Sequence, residues 1–393
     1  MKKIILISLL FLFVIVSCER NKKEDKSKII SAKSKKDWVE IINWGKDDIP
    51  YFLEFSFSKI NNAIYAPLKT DNSNLNKRFI KINISDKLSE EKFNLLGFPG
   101  QCPECTDYVS DLSVEDGFVI IGMFGRGYNF YNLDGDFLFQ IFSPTAPAGK
   151  SFLLDDKLVV LPTLSNYIKD YAVYIFNVQS KKVLDKLFFK DSFLRQFNFL
   201  TETKLVNNRN KLVSLRNLII SFQYTLLKNG KIAIFTKYYK AKNNVVILDV
   251  EKASLNPISL EVYCRYISTK TKKASAWGCI TGKNGNMVLV RLLGMGEREV
   301  VKRKYPFLLF EIDEKGNLVN IYSPPQGSIP CTPTVFANVI AIDYTGKDEF
   351  IAREFVFFND NRGKTKSVID HIVRFKARKL NQKELKWILE RLR

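Results

Sequence analysis

Short apolar segments, each preceded by a turn signal, recur along the chain from Trp38 onwards and constrain its fold more than any other feature. Clear examples are residues 118–123, 158–161, 232–236 and 287–293, which follow pairs such as Asp116-Gly117 and Asn229-Gly230. Segments of this length that are rich in Val, Ile and Phe predict strands, and the Asp-Gly and Asn-Gly pairs predict hairpin turns. The sequence therefore predicts an all-β protein.

A longer pattern of strand, polar turn and strand is repeated within the same part of the chain. Residues 129–141 and 308–321 are the clearest copies, and 174–183, 246–252 and 78–84 are weaker ones. Repeated four-stranded antiparallel units are typical of β-propeller blades, because a ring of blades covers both faces of each small sheet. We expect a β-propeller of about six such blades. A β-sandwich, or a pair of them, is the alternative that periodicity leaves open.

The N-terminus has the pattern of an export signal. Two lysines precede an apolar segment from Ile4 to Val16, which is too short for a mature membrane span. The four residues that end at Cys18 resemble the lipobox of bacterial lipoproteins, and this resemblance implies cleavage before Cys18 and a diacylglycerol on its thiol. We predict a signal peptide over 1–17 and a lipid-anchored chain in the cell envelope, on the periplasmic side or the outer surface of the outer membrane. An ordinary signal with an incidental cysteine is the alternative.

Composition divides the mature chain into three regions. Residues 18–36 have few apolar side chains and predict a flexible tether. Residues 37–378 form the predicted propeller. Residues 379–393 predict a short C-terminal α-helix, because Asn381 and Glu384 have the spacing of a capping box. Its apolar stripe consists of Leu385, Ile388, Leu389 and Leu392. We expect this stripe to pack against the propeller, with basic side chains facing lipid as the alternative.

The chain is strongly basic, with a formal net charge of +20. Such a charge is compatible with nucleic-acid binding. However, the excess comes mostly from scattered lysines, and few arginines are clustered. We therefore expect no nucleic-acid partner, and interpret the charge as a solvated basic surface that can contact anionic lipid or polysaccharide.

The residues around the first pair of clustered cysteines resemble a known family. The relevant segments are Gly97–Cys105, Val109–Leu112, Asp116–Ile120 and Phe130–Leu138. Together they are similar to one blade of the six-bladed, NHL-repeat-like propeller lipoproteins of the Bacteroidota envelope, which carry a GxGPGE turn, a strand and an FDxxGxF hairpin. The resemblance implies an envelope propeller lipoprotein. The chain departs from the family at the turn, where cysteine replaces glycine, and this suggests a bridge in place of flexibility.

Six cysteines and one histidine limit the chemistry that the chain can perform. Cys102 and Cys105 form a CxxC pair, for which an oxidising envelope favours a disulfide over two free thiols. A thioredoxin-like centre would need a following helix, and a zinc or iron site would need a second CxxC. Cys264 and Cys279 form a second candidate disulfide if their two segments pair as a hairpin. No metal and no cofactor are expected.

The sequence offers little for catalysis. It contains no GxSxG elbow, and His371 follows Asp370 in a predicted strand, where adjacent side chains point to opposite faces. No acidic residue recurs at an equivalent position of the repeat. We therefore name no catalytic residue and predict a non-catalytic envelope scaffold that binds a protein or a glycan. The alternatives are a propeller hydrolase or lyase with its active site in the central channel, and a CxxC dithiol redox module.

Overall fold

A computed structural model describes the chain between residues 38 and 392 in a series of segments. The described residues are 38–43, 55–69, 76–84, 93–96, 98–99, 104–106, 109–123, 125–143, 150–161, 172–188, 222–227, 230–236, 245–252, 254–258, 276–282, 285–292, 305, 307–325, 335–346, 348–360 and 364–392. The predicted signal peptide 1–17, the tether 18–36 and Cys18 lie outside them. Asp37–Arg393 forms one compact unit.

Six antiparallel sheets of four or five strands contain most of the described residues, and we number them I to VI in chain order. The strands of sheet I are β2 (Ser56–Ser58), β3 (Ala63–Lys69), β4 (Asn76–Asn83) and β5 (Phe93–Leu96). Those of sheet II are β8 (Val109–Glu115), β9 (Phe118–Met123), β10 (Gly127–Asn132) and β11 (Phe137–Phe142). Those of sheet III are β12 (Ser151–Leu154), β13 (Lys157–Val160), β14 (Ala172–Asn177) and β15 (Lys182–Phe188). A separate parallel pair joins β6 (Phe98–Pro99) to β7 (Cys105–Thr106).

The second half of the chain forms the other three sheets. Sheet IV contains β16 (Phe222–Leu226), β17 (Lys231–Thr236), β18 (Val245–Asp249) and β19 (Ser254–Ile258). Sheet V contains β20 (Ala276–Thr281), β21 (Met287–Leu292), β22 (Phe307–Ile312), β23 (Leu318–Ser323) and β27 (Arg378–Lys379). Sheet VI contains β24 (Val335–Gly346), β25 (Glu349–Asn359), β26 (Thr365–Lys376) and the first strand of the chain, β1 (Trp38–Asn43).

The middle strands are apolar at consecutive positions because both faces of each sheet are covered. In β9, Val119 and Ile121 belong to the core that sheet II shares with sheet I, whereas Ile120 belongs to the core shared with sheet III. In β13, Leu158 and Val159 divide in the same way between sheets II and IV. Successive side chains of a strand point to opposite faces, so a continuous apolar run means burial on both.

The sheets pack face to face in a cycle. Each successive contact is represented by two residues of one buried cluster or ring pair, which are Phe79 with Tyr131, Phe130 with Leu158, Val159 with Ile232, Ala233 with Leu308, Phe307 with Phe375, and Ile351 with Ile64. The sixth contact returns to sheet I, so within the described segments the ring is closed. The predicted all-β propeller is therefore confirmed, and a sandwich does not fit because each sheet has two packed neighbours. The number of blades in the whole chain stays a prediction.

The ring is closed by hydrogen bonds between the two ends of the chain. Sheet VI takes β24, β25 and β26 from the C-terminal part of the sequence and its outer strand, β1, from the start of the described chain. Trp38 lies opposite Phe375 and Asn43 lies opposite His371 in this antiparallel pairing. Residues more than 300 positions apart thus share one sheet, and this pairing joins the two ends of the described chain.

The only histidine of the chain lies within this closing sheet and bridges three of its strands. His371 on β26 is 2% exposed, and its Nδ1 lies 3.0 Å from Glu40 Oε2 on β1. Its Nε2 lies 3.4 Å from Glu354 Oε2 on β25. Burial alone would lower the pKa of His371, but the hydrogen bonds and charges of the two carboxylates outweigh it and raise the pKa to about 9.

Asp370 does not orient this histidine, as the alternation of strand side chains predicted. It lies on the opposite face, where its two carboxylate oxygens accept hydrogen bonds from Arg353 at 3.0 and 2.6 Å. Arg353 is fully buried, so the closing sheet carries an ion pair on each face. His371 is therefore a structural residue of the closing sheet.

The two clearest copies of the sequence repeat are equivalent hairpins. Asn132 Oδ1 accepts hydrogen bonds from the backbone N–H groups of Asp134 and Asp136, at 3.0 and 2.8 Å. Asp313 Oδ1 accepts the corresponding bonds from Lys315 and Asn317, at 2.9 and 2.8 Å. In each hairpin a glycine of positive φ completes the turn. These polar residues therefore form the β10–β11 and β22–β23 turns, as predicted.

The C-terminal helix, α1, comprises Gln382–Leu392 and begins with the predicted capping box. Asn381 Oδ1 accepts the backbone N–H of Glu384 at 2.9 Å, and Glu384 Oε2 accepts the backbone N–H of Asn381 at 3.1 Å. Ile388 is fully buried in the core shared by sheets IV and V, and Leu385 packs against that core. The side chains of Leu389 and Leu392 lie outside the described ones. The expected packing against the propeller is confirmed.

The helix begins later than the predicted boundary at residue 379. Arg378 and Lys379 extend sheet V as β27, paired with Ser323 and Tyr322. The backbone N–H of Leu380 then donates a hydrogen bond to Ile321 at 2.9 Å. Because these groups are used by the sheet, the helix starts only after Asn381.

We expect the closing sheet to lose stability as the solution becomes alkaline. The pKa of His371 is raised from 6.5 to about 9 on folding, so its contribution is complete below pH 6.5 and is lost as the pH rises through 9. Urea unfolding of the wild type and of His371→Gln should give a free-energy difference that shrinks across this interval. A difference that does not change with pH would contradict the role of the charged imidazole.

Candidate functional site

The inner strands of the six sheets form the wall nearest the centre of the ring. They are β2, β8, β12, β16, β20 and β24, and each is hydrogen-bonded within its sheet on one side only. Contacts join β24 to β2, β2 to β8, β8 to β12, β16 to β20 and β20 to β24. Their free edges carry backbone groups that need partners. Any channel site of the propeller would use side chains of these strands.

Side chains of one inner strand bind the backbone of the next strand around the ring. The backbone N–H of Phe57 donates to Asp343 Oδ2 at 3.0 Å, which joins sheet I to sheet VI. Ser56 Oγ accepts the N–H of Val114 at 3.2 Å, which joins sheet II to sheet I. Glu115 Oε2 accepts the N–H of Leu153 at 2.6 Å, which joins sheet III to sheet II. Each of these bonds gives one backbone N–H of an inner strand an acceptor on the neighbouring sheet.

A second acidic residue strengthens the junction between sheets II and III. Asp111 Oδ2 accepts hydrogen bonds from both the backbone N–H and the hydroxyl of Ser151, each at 2.9 Å. The hydroxyl of Ser113 lies 3.1 Å from that of Ser151. Lys150 Nζ donates to the carbonyl of Leu112 at 3.1 Å and lies 3.4 Å from Asp111 Oδ1. The serines are buried, so this is an internal network rather than an exposed nucleophile.

Threonines make the corresponding contact between sheets IV and V. The hydroxyls of Thr225 on β16 and Thr281 on β20 lie 2.9 Å apart. The hydroxyl of Thr281 also donates to the carbonyl of Leu226. Side-chain contacts between neighbouring inner strands therefore occur at four junctions of the described ring, although the residue type changes from one junction to the next.

Lys150 is placed among carboxylates that come from two different sheets. Burial raises the pKa of Glu115 to about 8, against the opposing effects of the Leu153 N–H and the charge of Lys150. Burial also raises the pKa of Asp343, against two backbone hydrogen bonds and the charges of Lys59 and Lys150. Both carboxyl groups retain partial exposure although they lie deep in the protein. They are therefore carboxyl groups of the inner wall whose pKa is clearly raised by burial.

This arrangement can hold a ring together and offers limited means for catalysis. Three inner-wall carboxylates each accept a hydrogen bond from a backbone N–H of the neighbouring sheet; they are Asp343, Glu115 and Asp111. Sequence reasoning missed all three, because it searched for one acidic position that recurs in every blade. The signal that was available is the presence of two acidic residues, Asp111 and Glu115, in one short segment.

The predicted cysteine sites are only partly described. Cys102 and Cys264 lie outside the described residues, as does Cys18. Cys105 belongs to β7, and Cys279 belongs to β20, where it lies opposite Leu289 of β21. Both candidate disulfides therefore stay predictions.

The described surroundings of the CxxC pair are strands. Phe98 and Pro99 pair in parallel with Cys105 and Thr106. The residues just before the CxxC pair therefore lie beside its second cysteine. The hydroxyl of Tyr131 donates to the carbonyl of Glu104 at 3.0 Å, which ties this turn to sheet II. No helix follows Cys105 in residues 105–106 or 109–123. Strand β8 follows the pair instead.

The described segments contain no candidate metal site and no candidate membrane-spanning helix. Among these residues, no three His, Cys, Asp or Glu side chains converge as a metal site. Their one α-helix is also too short and too polar to cross a bilayer.

Comparison with known proteins adds a distant structural likeness. No family model and no curated protein matches the sequence. The WD40 β-propeller domain of Doa1 is similar at 10% identity, with 82% of this chain and 78% of that chain covered and a TM-score of 0.41. YCF48 bound to D1 peptide is similar at 8% identity, with 86% and 94% covered and a TM-score of 0.41. At such TM-scores these likenesses carry no argument, and the propeller is assigned from its own sheet order and packing.

We expect Glu115 to act on stability through its acceptor oxygen and its protonation. Its folded pKa lies above the ordinary 4.5, so its contribution is complete below pH 4.5 and is lost as the pH rises through about 8. Glu115→Gln keeps an acceptor for Leu153 and should remove this pH dependence. Glu115→Ala leaves that buried N–H without its acceptor and should cost about 1–3 kcal/mol in urea unfolding. Equal stability of the two variants would contradict the bridging role.

Proposed function

We propose that this chain is a lipid-anchored β-propeller of the bacterial cell envelope that binds a protein or glycan partner and has no catalytic role. We also propose that it belongs with the NHL-repeat-like propeller lipoproteins that its sequence resembles. The observation that carries this proposal is the use of the inner-wall carboxylates as bridges between sheets. Asp343, Glu115 and Asp111 each accept a backbone N–H of the neighbouring inner strand.

A hydrolase or lyase in the channel would require these carboxylates in another role. General acid–base catalysis needs a carboxyl oxygen within hydrogen-bond reach of the substrate, and a metal needs several free oxygen ligands. Asp111 Oδ2 already accepts two bonds from Ser151, and its Oδ1 faces Lys150. The raised pKa of Glu115 is the observation that favours the enzyme alternative, since catalytic acids are often perturbed in this way. Its bond to Leu153 favours the structural role.

A binding scaffold also needs apolar side chains that a partner can cover. Phe142 is 66% exposed on β11, the outer strand of sheet II, and Leu184 is 54% exposed on β15, the outer strand of sheet III. Ile60 is 67% exposed in the turn between β2 and β3. Exposed aromatic and aliphatic side chains on a rigid framework are the usual anchors of protein partners.

The anchor rests on Cys18 and the lipobox around it. Cys18→Ser should abolish incorporation of radiolabelled fatty acid and should release the chain from the membrane fraction, because the thiol is the only proposed attachment point. Cys331→Ser, a matched change at a cysteine with no proposed lipid, should retain the label. Labelling that survives Cys18→Ser would show that the anchor is wrongly placed.

Partner binding can be tested by site-specific crosslinking in intact cells. A photoreactive phenylalanine analogue at position 142 or 184 should give discrete adducts with a protein or a glycan, since both positions lie on exposed outer strands. The same analogue at Lys252, an exposed turn position of sheet IV, serves as the control. Absence of adducts at both test positions, with the fold intact, would contradict a partner on the outer strands.

A further inference from the structure

Exposed lysines are concentrated where the chain leaves the propeller for the C-terminal helix. We call Lys376, Lys379, Lys383 and Lys386 the C-terminal lysine surface. They lie at the end of β26, in β27 and in the first turns of α1. All four are exposed, and they occupy a stretch of eleven residues in the sequence. Nothing in the fold or in the proposed scaffold role accounts for this concentration.

The acidic residues beside this surface offset part of its positive charge. Glu384 is engaged by Arg378, whose two guanidinium nitrogens donate to its two oxygens at 2.8 Å each. This pairing lowers the pKa of Glu384 to about 2, so it remains an ion pair with no net charge over the ordinary pH range. Glu349 lies opposite Lys376 in the sheet, and Glu390 is exposed further along the helix. The carbonyl of Asp348 accepts the backbone N–H of Ala377, so Asp348 is a third carboxylate beside the surface. Among the described residues, four lysines therefore lie near three remaining carboxylates.

This surface lies beside Trp38, where the described part of the chain begins. Trp38, the first residue of β1, lies opposite Phe375, which immediately precedes Lys376. The predicted tether of residues 18–36 would span roughly 25 Å as a flexible chain. The anchor proposed at Cys18 would therefore draw this side of the propeller towards the membrane. The end of the predicted tether, just before Trp38, is also positively charged, with lysines at positions 33, 35 and 36.

The apolar face of the helix is already occupied. Ile388 is buried in the core of sheets IV and V, Leu385 packs against it, and Trp387 forms an edge contact with Tyr305 at 6.3 Å between ring centroids. The exposed positions of the first turns are polar, including Lys383 and Lys386. The helix therefore presents charge outward, which suits contact with headgroups without insertion into the acyl layer.

We propose that the C-terminal lysine surface rests on the anionic headgroups of the membrane that carries the lipid anchor, and so fixes which side of the propeller faces away from that membrane. This inference rests on the proposed anchor at Cys18. Exposed charges act only within about 8 Å at physiological ionic strength, so a tether that leaves beside the lysines is what brings them within range. Sheet III, three contacts around the ring from sheet VI, would then face away from the lipid.

The test compares two kinds of vesicle carrying the full-length lipidated chain. One is phosphatidylcholine alone, and the other contains phosphatidylglycerol as the anionic lipid. Flotation of the protein with both vesicles reports the anchor. Hydrogen exchange of the backbone amides in α1 and β27 reports the lysine surface, and we expect it to be at least about tenfold slower on the anionic vesicles at low salt. High salt should remove the difference.

Charge reversal on two sides of the ring separates this contact from general attraction of a basic protein. A triple variant carries Lys379→Glu, Lys383→Glu and Lys386→Glu. It should still float with the vesicles, but its α1 and β27 amides should no longer exchange more slowly on the anionic vesicles. The matched control Lys181→Glu, Lys182→Glu and Lys186→Glu makes the same change of charge in and beside β15 of sheet III, and should retain the slower exchange. Circular dichroism of both variants checks that the fold is unchanged.

Four results would overturn the inference. Flotation with equal exchange on both vesicles would leave the anchor intact and show that the lysine surface does not contact lipid. Equal loss in the two charge-reversal variants would show a general electrostatic effect without orientation. Failure to float on either vesicle would refute the anchor and this inference with it. Slow exchange that appears only when a soluble envelope protein or glycan is added would assign the surface to that partner instead.

Discussion

The whole architecture depends on small sheets that are apolar on both faces. In β9 and β13, consecutive residues such as Val119 and Ile120, or Leu158 and Val159, enter two different cores. Burying one such side chain is worth about 1.5–3 kcal/mol, so leaving either face of a sheet in water would forfeit much of the folding energy. A row of sheets would always leave two outer faces uncovered. A ring leaves none, and the contact of Ile351 with the core of Ile64 completes it.

A ring built from apolar faces still needs polar contacts in two places. Backbone groups at the free strand edges need hydrogen-bond partners, and the two ends of the chain must be held together. At the strand edges, side chains of different kinds serve as acceptors: Asp343, Ser56 and Glu115 each accept a backbone N–H from a neighbouring inner strand. At the closure of the ring, in sheet VI, His371 contacts Glu40 on β1 and Glu354 on β25 and so links three strands. Hydrophobic burial therefore sets the number of contacts each sheet must make, while buried polar groups fix how the sheets are held together.

The sequence predicted those parts of the fold that are encoded locally. Turn pairs such as Asp116-Gly117, the hairpin at Asn132 and the capping box at Asn381 are local, and each has its predicted structure. Two other contacts join residues some 300 positions apart: the pairing of β1 with β26, and the hydrogen bond between Asp343 and Phe57. Neither the residue types nor their spacing in the sequence predicts these contacts. The inner-wall carboxylates were missed for this reason, since equivalent junctions use aspartate, glutamate, serine or threonine.

Two distant groups shift the stability of the fold in the same direction with pH. His371 in sheet VI and Glu115 in sheet II both have raised pKa values, so each favours the folded state in its protonated form. A net charge of +20 acts against them, since acidification adds further positive charge and repulsion. That repulsion comes from exposed lysines and is screened within about 8 Å at physiological ionic strength, whereas buried groups are screened much less. Added salt should therefore move the pH of greatest stability towards acid, because it weakens the repulsion between exposed charges more than it weakens the contributions of these two groups.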